Sequence, residues 1–293
     1  MLRTSCMRLA GLVLISLAMS RGGFAQLYGL STSAPGTVYR LNPTTGAATK
    51  VVDLTGESFT SLVGFDALNG TLYASDVSIA NPSQFRFGSV DLATGAFTVL
   101  NSQLNSANWL GLAGNDNDNI LYAWDGDRGQ FVSVQPDGTA TVFGPVQTTT
   151  FSGLAYDRNN DVLYAAEYGN PEGDRLCRID TTTGAVTGVG LIGFALDFRV
   201  GLTFDPDFLD GGRLYMEFGN NLYSLSTTGG AASLIGPSGI VLTQFQSLDG
   251  LAFIASPIPE PGNVMLGSAW TSATATIATI AAIARHRRER IRD

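Results

Sequence analysis

The chain has 293 residues, 44% of them hydrophobic and only 14% charged, with 35 glycines, which suffices for one large domain with an ample core. Residues 26 to 261 hold nine Arg or Lys against 23 Asp or Glu, so the body carries about −14; such a surface repels phosphate backbones and argues against nucleic-acid binding. The one histidine, His286, lies near the C-terminus, which leaves the body without a Ser-His-Asp triad, a histidine-bound zinc or an imidazole base.

The first 25 residues read as a secretory signal peptide. Arg3 and Arg8 precede the apolar run Leu9 to Met19, and Gly23-Phe24-Ala25 offers small residues to signal peptidase, with the cut expected after Ala25. An uncleaved anchor fits less well, because the run falls short of the ~20 residues that span a bilayer. Removing the leader also removes Cys6. Cys177 is then the sole cysteine, so no internal disulfide forms, and its place between Leu176 and Arg178 in a predicted strand reads as a small core residue.

From Leu27 onward three markers recur in fixed order. A Leu-Tyr strand places tyrosines at Tyr28, Tyr73, Tyr122, Tyr164 and Tyr215, and a Gly-containing turn follows at Gly46, Gly95, Gly138, Gly184 and Gly229. An apolar strand precedes each later Leu-Tyr, as in SLVGFD, GLAGND, GLAYD and GLTFD. The mean spacing near 46 residues matches a four-stranded propeller blade. The clearest copy spans Phe151 to Gly190, with strands expected at Gly153 to Tyr156, Val162 to Glu167, Arg175 to Asp180 and Ala185 to Val189. Asn69-Gly70 is a two-residue hairpin signal, because both turn positions must accept positive φ.

The first unit lacks its leading apolar strand, whereas Asp249 to Phe253 is an apolar strand with no Leu-Tyr after it. The expected fold is therefore an all-β, five-bladed β-propeller over residues 26–257, closed by pairing of the C-terminal strand with the N-terminal blade. An open stack would leave an unpaired strand edge.

Residues 258–293 differ in character. Pro259-Glu260-Pro261 is followed by the uncharged stretch 263–284, rich in Ser, Thr and Ala, and then by Arg285, Arg287, Arg288, Arg290 and Arg292 in a basic tail over 285–293. As a helix the 22 uncharged residues reach ~33 Å, about one hydrocarbon core, with the arginines holding that end in the cytoplasm. An ordinary C-terminal anchor would look similar, with the prolines merely ending the domain.

This order of Pro-Glu-Pro, membrane helix and arginine cluster resembles the PEP-CTERM sorting signal of Gram-negative bacteria. The resemblance covers about the last 36 residues. It implies recognition of Pro259, Glu260 and Pro261 by an exosortase-type transpeptidase, transient anchoring in the inner membrane, removal of the tail, and delivery to the cell surface or extracellular matrix. Proteins bearing this tail are often linked to exopolysaccharide production.

Candidate chemistry in the body is carried by carboxylates. Asp76, Asp125 and Glu167 lie three residues after their tyrosines and Glu217 two after, so all four are expected toward one face of the ring, although Ser31 stands at that place in the first unit. Converging carboxylates can hold a cation such as Ca2+ with oxygen ligands, or serve as acid and base in glycoside cleavage. They also simply cap a strand and bond the following loop. Asn115 to Asn119 and Asp157 to Asp161 look like calcium loops yet lack the glycine and distant glutamate of an EF-hand, and they fall where hairpin turns are needed. Trp109, Trp124, Phe131 and Tyr168 are candidates for stacking on sugars or for blade packing. The pattern favours a non-enzymatic module binding glycans or surface proteins, with no catalytic residue, metal ligand or cofactor assigned. The alternative is a carboxylate-based glycoside hydrolase or lyase acting on extracellular polysaccharide.

Overall fold

A computed structural model describes residues 26–31, 36–55, 64–77, 84–105, 108–208, 211–240 and 248–254. These lie in the compact unit Ala25–Ala255. The expected signal peptide, the sorting motif, the membrane helix and the basic tail lie outside the described residues.

The described elements are all strands. The first three are β1 (Gln26–Ser31), β2 (Thr37–Leu41) and β3 (Ala48–Asp53). The second blade is β4 (Gly64–Leu68), β5 (Thr71–Val77), β6 (Gln84–Val90) and β7 (Phe97–Asn105). The third is β8 (Trp109–Asn115), β9 (Ile120–Asp125), β10 (Gln130–Val134) and β11 (Ala140–Phe143). The fourth is β12 (Thr150–Asp157), β13 (Val162–Tyr168), β14 (Arg175–Ile179) and β15 (Val186–Leu191). The fifth is β16 (Gly201–Asp205), β17 (Arg213–Phe218), β18 (Asn221–Leu225) and β19 (Ala232–Pro237). The last strand, β20 (Leu248–Ile254), returns to the first blade.

Each of the five sheets is a four-stranded antiparallel meander, and the first has the order β20-β1-β2-β3. Leu27 stands opposite Phe253 and Leu30 opposite Gly250, so the closing strand supplies the innermost position that the first unit lacks. The chain is a five-bladed β-propeller. The strands of the fourth blade run a few residues beyond the expected limits at several ends, because ladder pairing continues into the polar flanks.

One apolar cluster fills each space between adjacent blades. Leu30, Phe65, Val90 and Ala252 pack between blades one and two; Tyr73, Phe87, Trp109 and Val132 between two and three. Trp124, Phe131, Phe151 and Cys177 fill the next space, then Tyr164, Leu202, Phe204 and Met216. Leu27, Tyr215, Leu248 and Leu251 complete the circuit between blades five and one. Each fully buried large side chain contributes roughly 1.5–3 kcal/mol, so the blades are held chiefly by side chains that alternate between the two faces of every sheet.

Glycine sets how closely the innermost strands approach. Gly64, Gly111, Gly153, Gly201 and Gly250 occupy one place per blade, and a Cβ at each would meet the next blade: Leu112 at 2.8 Å, the Leu154 nitrogen at 2.8 Å, the Val200 oxygen at 2.6 Å, the Leu251 nitrogen at 2.9 Å and Phe65 at 2.4 Å, in that order. These contacts run once round the ring and return to its start. At Gly111 and Gly153 the backbone also takes positive φ, +79° and +61°, where a bulge offsets the register.

At the periphery, Gly46, Gly95, Gly138 and Gly184 turn the chain between the third and fourth strands with positive φ, as expected. In the fifth blade this place belongs to Gly230 rather than Gly229: Gly230 has φ +76° and its N–H donates to the Ser226 carbonyl, as Gly184 does to Asp180. The STTGG segment shifts the turn by one residue. Asn69 and Gly70 both have positive φ, as the hairpin between β4 and β5 requires.

Candidate functional site

Antiparallel order sends the ends of β5, β9, β13 and β17 to one face of the ring, where connections lead to the third strand and on to the next blade. The expected carboxylates lie at these ends, but not as a single convergent ring. Asp76 is fully buried and ion-paired with Arg86 at 2.9 Å, its neighbour across the β5–β6 ladder. Asp125 accepts the N–H groups of Asp127 and Arg128, both at 3.2 Å, and meets the Arg128 guanidinium at 3.2 Å. Glu167 pairs with Arg175 Nε at 2.7 Å and accepts from Asn170 Nδ2 at 3.0 Å; the Cys177 thiol lies 3.6 Å away. Burial, followed by the Glu167 charge, pushes that thiol up to about 12. The first three carboxylates therefore brace their own blades.

Glu217 behaves differently. Its offset of two from Tyr215, where the others have three, places it on the opposite side of its sheet, with Tyr215 toward the closing strand. It is fully buried, with the backbone N–H of Asn220 turned toward its carboxyl group. Desolvation pushes its pKa well above the usual carboxyl range, and the neighbouring Asp249 adds to the shift. Arg199 lies nearby but is held by Asp197, with Nη2 to Oδ2 at 2.6 Å. Among the described residues, no group of three or more His, Cys, Asp or Glu is arranged to hold a metal ion.

On the same face a groove of about 380 Å3 opens over blade four. Pro171, Leu191, Phe194 and Ala195 give it apolar walls, with Asn170 and Asp174 at the polar side. Asp174 shapes it: its carboxylate accepts the Leu196 N–H at 2.5 Å and the Asn170 N–H at 3.3 Å, tying both bordering loops together. Phe194 is fixed from behind by Phe218 and Tyr223, with ring centroids 5.8 and 5.1 Å away. Trp109, Trp124 and Phe131 are buried between blades and are not available for stacking, leaving half-buried Tyr168 as the accessible member of that set.

At the opposite face the ring axis carries a feature that the repeat pattern conceals. The residues paired with the five marker tyrosines are Ala252, Asp66, Ala113, Ala155 and Thr203, so one carboxylate enters a tier otherwise built of small side chains. Asp66 of blade two accepts N–H groups from Ala67 at 2.8 Å and Gly114 of blade three at 2.9 Å, and reaches Thr203 Oγ1 of blade five at 3.4 Å. A cavity of about 30 Å3 beside it is lined also by Tyr156, Arg158 and Phe253. Arg158 is held at the rim by Asp116 at 2.8 Å and Asp207 at 3.6 Å. Burial raises the Asp66 pKa to about 8 against the pull of its backbone donors, so the carboxyl is largely protonated at neutral pH.

No family model and no curated protein matches the chain. Among solved structures it is similar to a chain of a nidogen/laminin complex, at 16% identity and a TM-score of 0.52, covering 80% of this chain and 100% of that one. It is also similar to TolB from Acinetobacter baumannii, at 12% identity and a TM-score of 0.49, covering 74% of this chain and 54% of that one. The first likeness agrees with the propeller fold read from the strand order.

Proposed function

We propose that the protein is exported and acts at the cell surface or in the extracellular matrix as a non-enzymatic binding module, taking a glycan or surface-protein ligand on the face that carries the blade-four groove. The groove is the observation that carries this reading: its volume falls within the ~300–1,000 Å3 usual for small-ligand sites, and apolar walls with a few polar groups suit the apolar face and hydroxyls of a sugar. Export is supported by the leader ending at Ala25 and by the Pro259-Glu260-Pro261 tail with its arginine cluster. Signal peptidase and an exosortase-type transpeptidase are the processing partners, in a Gram-negative host that makes exopolysaccharide.

Binding is tested on a glycan array with the purified protein, paired with hydrolysis assays on the same glycans. Saturable binding that falls at least about tenfold in Leu191→Asp supports the groove, since Leu191 is 54% exposed and its replacement disturbs no core cluster. Turnover abolished by Glu167→Gln would establish a carboxylate hydrolase instead. Mass spectrometry of the mature protein tests the address: it should begin at Gln26, and alanines at Pro259, Glu260 and Pro261 should leave the chain in the inner membrane.

A further inference from the structure

The groove over blade four is defined as much by what its walls lack as by what they carry. Of the side chains that line it only Asn170 has a hydrogen-bond donor, and that Nδ2 is engaged by Glu167 Oε1 at 3.0 Å. Asn170 Oδ1 is committed as well, accepting the Glu172 N–H at 3.0 Å. Through its side chains the groove therefore offers apolar surface, from Pro171, Leu191 and Phe194, and the carboxylate of Asp174.

The charge around it is one-sided. Residues 167–175 hold three carboxylates, Glu167, Glu172 and Asp174, against the single guanidinium of Arg175. Arg175 is occupied from within: its Nε meets Glu167 at 2.7 Å and its Nη2 stands 3.7 Å from Glu172. On the other loop Asp197 and Arg199 form a matched pair at 2.6 Å and add no net charge. The Glu172 side chain is 82% exposed, between the groove residues Pro171 and Gly173.

We propose that the groove selects glycans built from amino sugars with a free ammonium group and rejects those whose sugars carry carboxylate or sulfate. The inference rests on the glycan reading above and narrows it to one class. A pyranose ring sets its C–H face against Leu191 and Phe194, its hydroxyls supply the donors that the walls lack, and its ammonium meets the carboxylates of Asp174 and Glu172. An acidic sugar brings acceptors to side chains with no donor to spare, and sets like charges beside each other. N-acetylation removes the positive charge and leaves the rest of the sugar in place. Exposed ion pairs each multiply affinity by about two- to fivefold, so two carboxylates give the amino sugar a preference of about tenfold over its acetylated form.

Calorimetry on the purified protein at about pH 5.5, where amines are protonated, tests this with four probes of matched length. They are a β-linked glucosamine hexamer, its N-acetylated form, a galacturonic acid hexamer and hexalysine. The glucosamine hexamer should bind about tenfold tighter than its acetylated form, and the galacturonate should not bind. Hexalysine, with the same charge and no sugar ring, should bind at least about tenfold more weakly than the amino sugar. Glu172→Lys, at an exposed position, should weaken the glucosamine hexamer at least about fivefold and leave the acetylated form within about twofold. Equal binding of the glucosamine and acetylated hexamers, tight binding of galacturonate, or a preference undiminished in Glu172→Lys would overturn this inference and leave the glycan reading in place. Hexalysine binding as tightly as the amino sugar would overturn it in favour of a basic peptide, and no binding of any sugar hexamer would overturn both readings.

Discussion

Removing the Asp66 carboxylate should change stability by an amount that depends on pH, and the direction follows from its place on the ring axis. The folded-state pKa near 8 exceeds the reference value of 3.8, so the native protein binds a proton that the unfolded chain releases between those values. The protonated carboxyl stabilises the fold fully at low pH, and that contribution is lost as pH rises toward 8. The slope approaches 1.4 kcal/mol per pH unit, or about 2–3 kcal/mol between pH 5 and pH 7. Asp66→Ala strips the Gly114 and Ala67 N–H groups of their acceptor, which costs about 2–3 kcal/mol at pH 5. Above pH 8 the parent protein carries a buried charge that the variant lacks, so the two stabilities should converge or cross. Urea unfolding of both proteins at pH 5, 6, 7, 8 and 9 measures the difference, in which contributions from Glu217 and Asp205 cancel. A difference that stays constant over that range, or widens with pH, would refute the assignment of a neutral axial carboxyl.

Two further outcomes follow from packing. Gly153→Ala should cost about 2–4 kcal/mol in urea unfolding, since its Cβ would stand 2.6 Å from the Val200 oxygen at positive φ, whereas Gly169→Ala, also at positive φ but with open space around it, should cost only about 1 kcal/mol. Equal losses would show that neighbouring blades do not press on that position. Cys177 is 1% exposed and its thiol is held up near 12, so a thiol-specific chromogenic reagent at pH 8 should label it only as the protein unfolds; rapid labelling of the native state would contradict the blade-three to blade-four packing.

Much of the architecture is local and was legible before any coordinates. The Leu-Tyr strands and turn glycines report backbone requirements within one blade, and the spare strand at Asp249 to Phe253 pointed to its own partner by matching the strand missing at Leu27. The glycines of the ring stand in the sequence as a Gly-Leu or Gly-Phe pair in every apolar strand, but their cause is an approach between neighbouring blades, four times across about 40–50 positions and at the closure from Gly250 back to Phe65, which no single repeat contains. Asp66 is not legible in the sequence for the opposite reason: it breaks the repeat, and only the pairing register shows that alanines and Thr203 leave it room on the axis. The four acidic positions follow their tyrosines at similar places and are expected toward one face, yet the offset of two rather than three sends Glu217 to the other side of its sheet, because strand side chains alternate.

Ring closure is tested most directly by a crosslink across the terminal ladder. Gln26 and Ile254 stand opposite each other at the end of the β1–β20 pairing, both only half-buried, so Gln26→Cys/Ile254→Cys places two thiols within bridging reach and removes only one side chain, Ile254, from the edge of a core cluster. Mild oxidation should form the bridge quantitatively and raise stability by several kcal/mol, since it closes a loop of more than 200 residues, beyond the ~4.7 kcal/mol expected for 100. A pair that stays reduced in the folded protein, or bridges only after unfolding, would contradict a propeller closed by its C-terminal strand.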